Sequence, residues 1–217
     1  MSPVIEAVVF DLDGVLIDSE QVWNEVREAL AHERGGRWSE RATRDMMGMS
    51  SPEWSRYLHD VVGLPESPEE INREVVARML RRYADGPPWL PGAIEAVKRV
   101  AERWPLGLAS SSNRELIDAV LAAGGIAECF RATVSSEEVA RGKPAPDVYL
   151  EAARRLGVGP ERCAAIEDSH NGIRSAKAAG MRCIAIPNPH FPPGDALDEA
   201  DAVVPTIAEL TATIIEG

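Results

Sequence analysis

Two acidic residues one position apart, Asp11 and Asp13 in Asp11-Leu12-Asp13-Gly14-Val15, directly follow the apolar run 4–10. A carboxylate can attack phosphorus and form an acyl phosphate, so Asp11 is a candidate covalent nucleophile. Asp13 can then deliver and retrieve the proton of the leaving group. A second acidic pair, Glu167-Asp168, follows another apolar run, 164–166. Brought side by side, two such strand ends repel by roughly 4 kcal/mol per close charge pair at an effective dielectric of about 20, unless a cation sits between them. Hard oxygen donors suit magnesium, with Asp11, the Asp13 backbone carbonyl and Asp168 as expected ligands and Glu167 joining or orienting them.

Ser110-Ser111-Ser112-Asn113 ends a third apolar run, 106–109, and offers hydroxyls and N–H groups at a helix start, where phosphate binds readily. Ser110 is the candidate phosphate hydroxyl. Ser111, Ser112 and Asn113 are expected as secondary contacts, with Ser112 doubling as a helix cap, and Leu12 and Gly14 belong to the same phosphate-binding loop. Lys143 lies in the proline-stiffened loop Arg141-Gly142-Lys143-Pro144, and the only other lysines are Lys98 and Lys177. An ammonium there can neutralise both Asp11 and a transferring phosphoryl group.

Each motif alone has a plainer explanation. D-x-D-G begins like a calcium loop, although the later ligands are missing. Glu167-Asp168-Ser169 and the serine run also suit helix caps, and a loop lysine is ordinarily solvated. Their co-occurrence gives the chemistry its weight.

Such residues need strands to carry them. The runs 4–10, 106–109, 164–166, 183–186 and 202–204 fit short buried strands, and the segments between them have helical spacing, which is the βαβ alternation of a doubly wound α/β fold. Ser112 and Glu115 form a capping-box pattern closed by Gly124-Gly125. Pro146 and Gly157, then Ser169 and Gly180, bracket two more helices. Between Asp18 and Asp85 the strand signal vanishes and apolar residues recur at helical spacing. A helical domain over 17–86, inserted into a core of 1–16 and 87–217, is expected.

Composition narrows the field further. The 35 acidic and 23 basic residues give a formal charge of -12 with no basic cluster, which disfavours nucleic acid as a partner. The run 4–10 is too short for a membrane span or signal peptide, so a cytoplasmic protein without a membrane partner, and a monomer, are expected. Cys129, Cys163 and Cys183 have neither zinc-ligand spacing nor a disulfide pattern.

Taken together, Asp11-Leu12-Asp13-Gly14-Val15, Ser110, Lys143-Pro144 and Glu167-Asp168-Ser169 resemble the four ordered motifs of the haloacid dehalogenase superfamily. The insertion after Asp18 resembles the cap of its β-phosphoglucomutase-like subgroup. The resemblance implies a Rossmann-like core, magnesium, and phosphoryl transfer rather than dehalogenation, because Asp13 is present. Trp23 stands where mutases of this subgroup carry His, and Met47-Gly48-Met49-Ser50-Ser51 lacks their cap Arg. A phosphatase is therefore expected, with a phosphosugar mutase as the alternative. The run Asp18-Ser19-Glu20-Gln21-Val22-Trp23 resembles hexitol-phosphate and 2-deoxyglucose-6-phosphate phosphatases, which implies small sugar or polyol phosphates as substrates. Glu20, Trp23, Met47, Gly48, Met49 and Ser50 are the expected substrate contacts of the cap. A phospho-aspartate signalling module is a remote rival, since such modules are shorter and lack both the D-x-D pair and a helical insertion.

Overall fold

The computed structural model describes residues 4–46, 49–188 and 192–217. The chain runs β1 (Ala7–Phe10), α1 (Glu20–Glu33), α2 (Glu40–Asp45), α3 (Ser51–Tyr57), α4 (Pro68–Tyr83), α5 (Ala93–Ala101), β2 (Leu106–Ser110), α6 (Arg114–Ala123) and β3 (Phe130–Ser135). It continues through α7 (Asp147–Leu156), β4 (Cys163–Glu167), α8 (His170–Ala178), β5 (Arg182–Ala185), β6 (Ala202–Val203) and α9 (Ala212–Glu216), with short 3-10 turns between.

Among the described residues the strands form one six-stranded sheet in the order β3-β2-β1-β4-β5-β6, and every pairing is parallel. This is the Rossmann-like doubly wound architecture. Both faces of β1 are covered: Val8 and Phe10 belong to one apolar cluster, Ala7 and Val9 to the other. Alternation along a strand sends neighbours to opposite faces, so a strand sandwiched by helices must be apolar throughout. The chain winds outward from β1 to β3, then crosses back to β4, so strand order reverses between β1 and β4. In an open parallel sheet that reversal leaves a crevice at the strands' carboxyl ends. Asp11 and Asp168 stand on either side of it.

Strand bounds shift slightly from the sequence expectation. β1 starts at Ala7, leaving Val4 76% exposed, and β4 extends to Glu167. β3 went unanticipated, because Arg131 and Thr133 alternate with its buried residues and dilute the apolar signal. The expected capping box at Ser112 is absent: Asn113 is the N-cap of α6, and the Ser112 hydroxyl is used elsewhere.

Helices α1 to α4 fall between β1 and β2. Ser67 and Glu70 form a capping box on α4, and Ser50 and Glu53 form one on α3. The segments entering and leaving this helical layer run beside each other, with Asp18 N–H donating to the Pro88 carbonyl at 2.8 Å and Leu90 N–H to the Leu16 carbonyl at 3.0 Å. Among the described residues, no helix is long and apolar enough to cross a membrane.

Candidate active site

Parallel pairing of Phe10 with Ile166 places the residues after β1 and β4 next to each other, and Asp11 N–H donates to the Ile166 carbonyl at 3.0 Å. Asp11, Glu167 and Asp168 consequently offer carboxylate oxygens within 4.8 Å of one another, all buried. Gly14 makes this approach possible. Its φ of 79° favours glycine, and a Cβ there would lie 1.9 Å from Asp168 Oδ2.

Lys143 enters from the loop before α7 and is 4% exposed. Its Nζ donates to Asp11 Oδ1 at 2.9 Å and to Glu167 Oε1 at 2.5 Å. Burial works against the ammonium charge, but Asp11 and Glu167 outweigh it and hold its pKa above the ordinary value. Tyr149, on the buried face of α7, donates its hydroxyl to Glu167 Oε1 at 2.8 Å. Glu167 Oε2 accepts the N–H groups of Asp168 and Ser169 and the Ser169 hydroxyl. Five donors thus converge on Glu167. It lies near enough to join a metal, but its lone pairs are already directed elsewhere, so holding Lys143 in place is the part its geometry favours.

Asp168 differs: its Oδ1 is buried without a hydrogen-bond partner. Burial pushes its pKa well above the ordinary value, and Glu167, then Asp11, push it further. Burial likewise raises Asp11 to about 8, with Lys143 pulling it back and Glu167 and Asp13 adding to the rise. A crowded acidic site with an orphaned oxygen fits a hard divalent cation, which would replace the protons and take up the free lone pairs.

Asp13 is met by donors on both oxygens. Oδ1 accepts from the Ser19 hydroxyl at 2.5 Å and Trp23 Nε1 at 3.1 Å, and Oδ2 accepts from the Ser112 hydroxyl at 2.6 Å. Ser110 Oγ lies 3.4 Å from Oδ2 and also accepts Ser112 N–H, with no exposed surface of its own. The cleft over Asp11 and Lys143 is instead lined by Ser111 and Ser112. Leu12 is 1% exposed and packs in the core.

Asn113, expected near phosphate, is committed to other partners. Its side-chain oxygen accepts from Ser51 at 2.7 Å, and its amide donates to Glu137 at 2.7 Å and Asn72 at 3.2 Å. This ties α3 and α4 to the start of α6. Ser50 is similarly occupied: its hydroxyl and N–H both donate to Glu53. Met49 lines the cleft together with Glu20 and Trp23, whereas Met47 and Gly48 lie outside the described residues.

Sequence reasoning missed Arg27, which lines the same cleft. Helical spacing was the available signal, because Arg27 falls four residues after Trp23 on the buried stripe of α1 that also holds Leu30. Burial lowers its pKa to about 10, against the pull of Glu20 and Asp13. Glu20 is raised to about 7 by burial, countered by Arg27. Tyr149 was missed too, since an aromatic on a buried helix face reads as ordinary packing.

A family model described as haloacid dehalogenase-like hydrolase matches residues 5–180. Hexitol phosphatase B of Escherichia coli K12 is 34% identical over 232 aligned residues, covering 98% of this chain and 97% of the relative. A phosphorylated carbohydrates phosphatase of Thermotoga maritima is 33% identical over 201 residues, covering 92% and 93%. The crystal structure of CbbY from Rhodobacter sphaeroides in complex with phosphate superposes with a TM-score of 0.86 at 29% identity, covering 99% of this chain and 100% of that one. The family match spans both acidic strand ends and the lysine between them, and the relatives align over nearly their full length, so this chain belongs to the haloacid dehalogenase-like hydrolase family.

Proposed function

We propose that the protein is a magnesium-dependent phosphatase that hydrolyses small phosphate monoesters, sugar or polyol phosphates, through an aspartyl phosphate on Asp11. One observation carries the reading: Lys143 bridges Asp11 and Glu167 beside the unpartnered Asp168 Oδ1, so nucleophile, cation and a vacant acceptor meet at one strand junction. Relatives named as hexitol and carbohydrate phosphatases support the substrate class.

In this scheme magnesium, held by Asp11, the Asp13 carbonyl and Asp168, would offset negative charge on the phosphate and nucleophile. Lys143 stabilises charge on the transferring group and, against burial, pulls Asp11 toward its ionised form. Asp11 Oδ2 is left as the attacking oxygen, since Oδ1 accepts Lys143. Attack forms the Asp11–phosphorus bond as the bond to the ester oxygen breaks, and Asp13 donates its proton to that oxygen. Asp13 then takes a proton from water, which cleaves the aspartyl phosphate and releases inorganic phosphate. The helical layer 17–86 acts as a lid on the core of 1–16 and 87–217. It brings Glu20, Trp23 and Met49 to the substrate and excludes solvent.

Phosphate release from a panel of sugar and polyol phosphates tests the reading. Asp11→Asn should be folded and devoid of turnover, and EDTA should stop wild-type activity until magnesium is restored. Full activity of the variant would remove the covalent step, and indifference to EDTA would remove the metal. The mutase alternative is decided separately: β-glucose 1-phosphate isomerised faster than hydrolysed would favour it.

A further inference from the structure

Arg27 has an unusual setting for a buried cation. It is 5% exposed, its guanidinium carbon lies 4.7 Å from the Trp23 ring centroid and 4.9 Å from that of Trp54, and its Nε is buried with no hydrogen-bond partner. Among the described residues no carboxylate lies within ion-pair distance of it, whereas Arg78, Arg114 and Arg155 each pair with one or more. Glu20 and Asp13 act on it through space without contact. Two indole faces stabilise the cation in part, but burial without a hydrogen-bonded counter-ion is costly. A charge kept on such terms is poised for an anion that arrives from outside.

Its position says which anion. Arg27 lines the cleft shared with Asp11, Lys143 and Ser111, but comes from α1, in the layer between β1 and β2. The phosphate to be cleaved already has Lys143 on the core side. We infer that Arg27 is a specificity-determining residue that pairs with a second anionic oxygen group, a carboxylate or another phosphate, at the end of the substrate away from the cleaved ester. This inference rests on the phosphatase reading above. A guanidinium fork matches either group through two parallel hydrogen bonds, and contact with Trp23 and Trp54, whose rings are tilted 54° to each other, restricts where the fork can turn. Met46 and Met49 supply the apolar wall along which the intervening carbon chain lies.

The experiment compares kcat/KM, with magnesium, for glucitol 6-phosphate, 6-phosphogluconate, fructose 1,6-bisphosphate and p-nitrophenyl phosphate. Wild type should favour at least one of the two doubly anionic esters over glucitol 6-phosphate by roughly tenfold or more, the range of a charge-assisted hydrogen bond. The ester that shows the preference identifies carboxylate or phosphate as the group read. Arg27→Met should lose kcat/KM on that ester at least tenfold more than on glucitol 6-phosphate, mainly through KM, with Arg27→Lys in between. Equal hydrolysis of all esters by wild type, or an equal loss on both by Arg27→Met, overturns the assignment while leaving the phosphatase reading intact. Release of phosphate from none of the four overturns both. The wild-type comparison stands even if a variant does not fold.

Discussion

Replacing Lys143 by Met removes one positive charge from a pocket that holds three buried carboxylates. Its Nζ contacts Asp11 and Glu167 at 2.9 and 2.5 Å, and all three side chains are almost fully buried. At these separations each pair attracts by roughly 6 kcal/mol at an effective dielectric near 20. Against the sum stands the hydration that a buried ammonium has given up, several kcal/mol. What remains after deletion is Asp11 facing Glu167 without a cation, and breaking a buried pair from one side costs about 3–5 kcal/mol. For a chain of this size that is a fall in Tm of roughly 6–20 °C, at about 2–4 °C per kcal/mol. The comparison variant is Lys177→Met, which removes a half-exposed pair with Asp201 at 2.7 Å and should cost no more than about 1 kcal/mol. Thermal unfolding of both variants in EDTA, followed by phosphate release in magnesium, reads stability and catalysis separately. Equal Tm values for the two variants, or Lys143→Met with wild-type turnover, would refute the claim that one buried ammonium organises this site.

Two further outcomes follow from single contacts. Gly14→Ala should suppress magnesium-dependent turnover by at least tenfold, because the new Cβ would lie 1.9 Å from Asp168 Oδ2 on a backbone with φ of 79°, and a wild-type kcat/KM would show that the loop yields freely. Glu138 links β3 to α6 and α7: burial tends to raise its pKa, but Ser135 N–H, Arg114 and Arg155 outweigh that and lower it from 4.5 to about 2. The native state therefore binds this proton less readily than the unfolded chain, so the stabilisation is complete above pH 4.5 and disappears as pH falls toward 2. Glu138→Gln should lower Tm at pH 7 and converge on wild type near pH 2, and a gap that widens on acidification would contradict the assignment.

Much of the site was legible before any coordinates because its chemistry is written in residue type and order. Paired carboxylates after two apolar runs fit strand ends in a doubly wound sheet, a hydroxyl run ends a third such run, and a rare lysine lies in a proline-stiffened loop. The sequence alone therefore determined the doubly wound class, though not β3, and marked the acidic pairs and Lys143 as the groups to watch. It could not divide labour among them. That Glu167 faces Lys143 and Tyr149 while Asp168 keeps an orphaned oxygen depends on which way two adjacent side chains leave the end of β4. That Ser112 reaches Asp13 and Asn113 ties the helical layer to α6 depends on where α6 begins, one residue beyond the expected cap. Arg27 carries only the weak signal of its spacing on the apolar stripe of α1, since a charged residue on a helix is ordinarily solvated. Only the packing of α1 against Trp54 and the core encloses it, because burial is a property of surfaces brought together from distant parts of the chain.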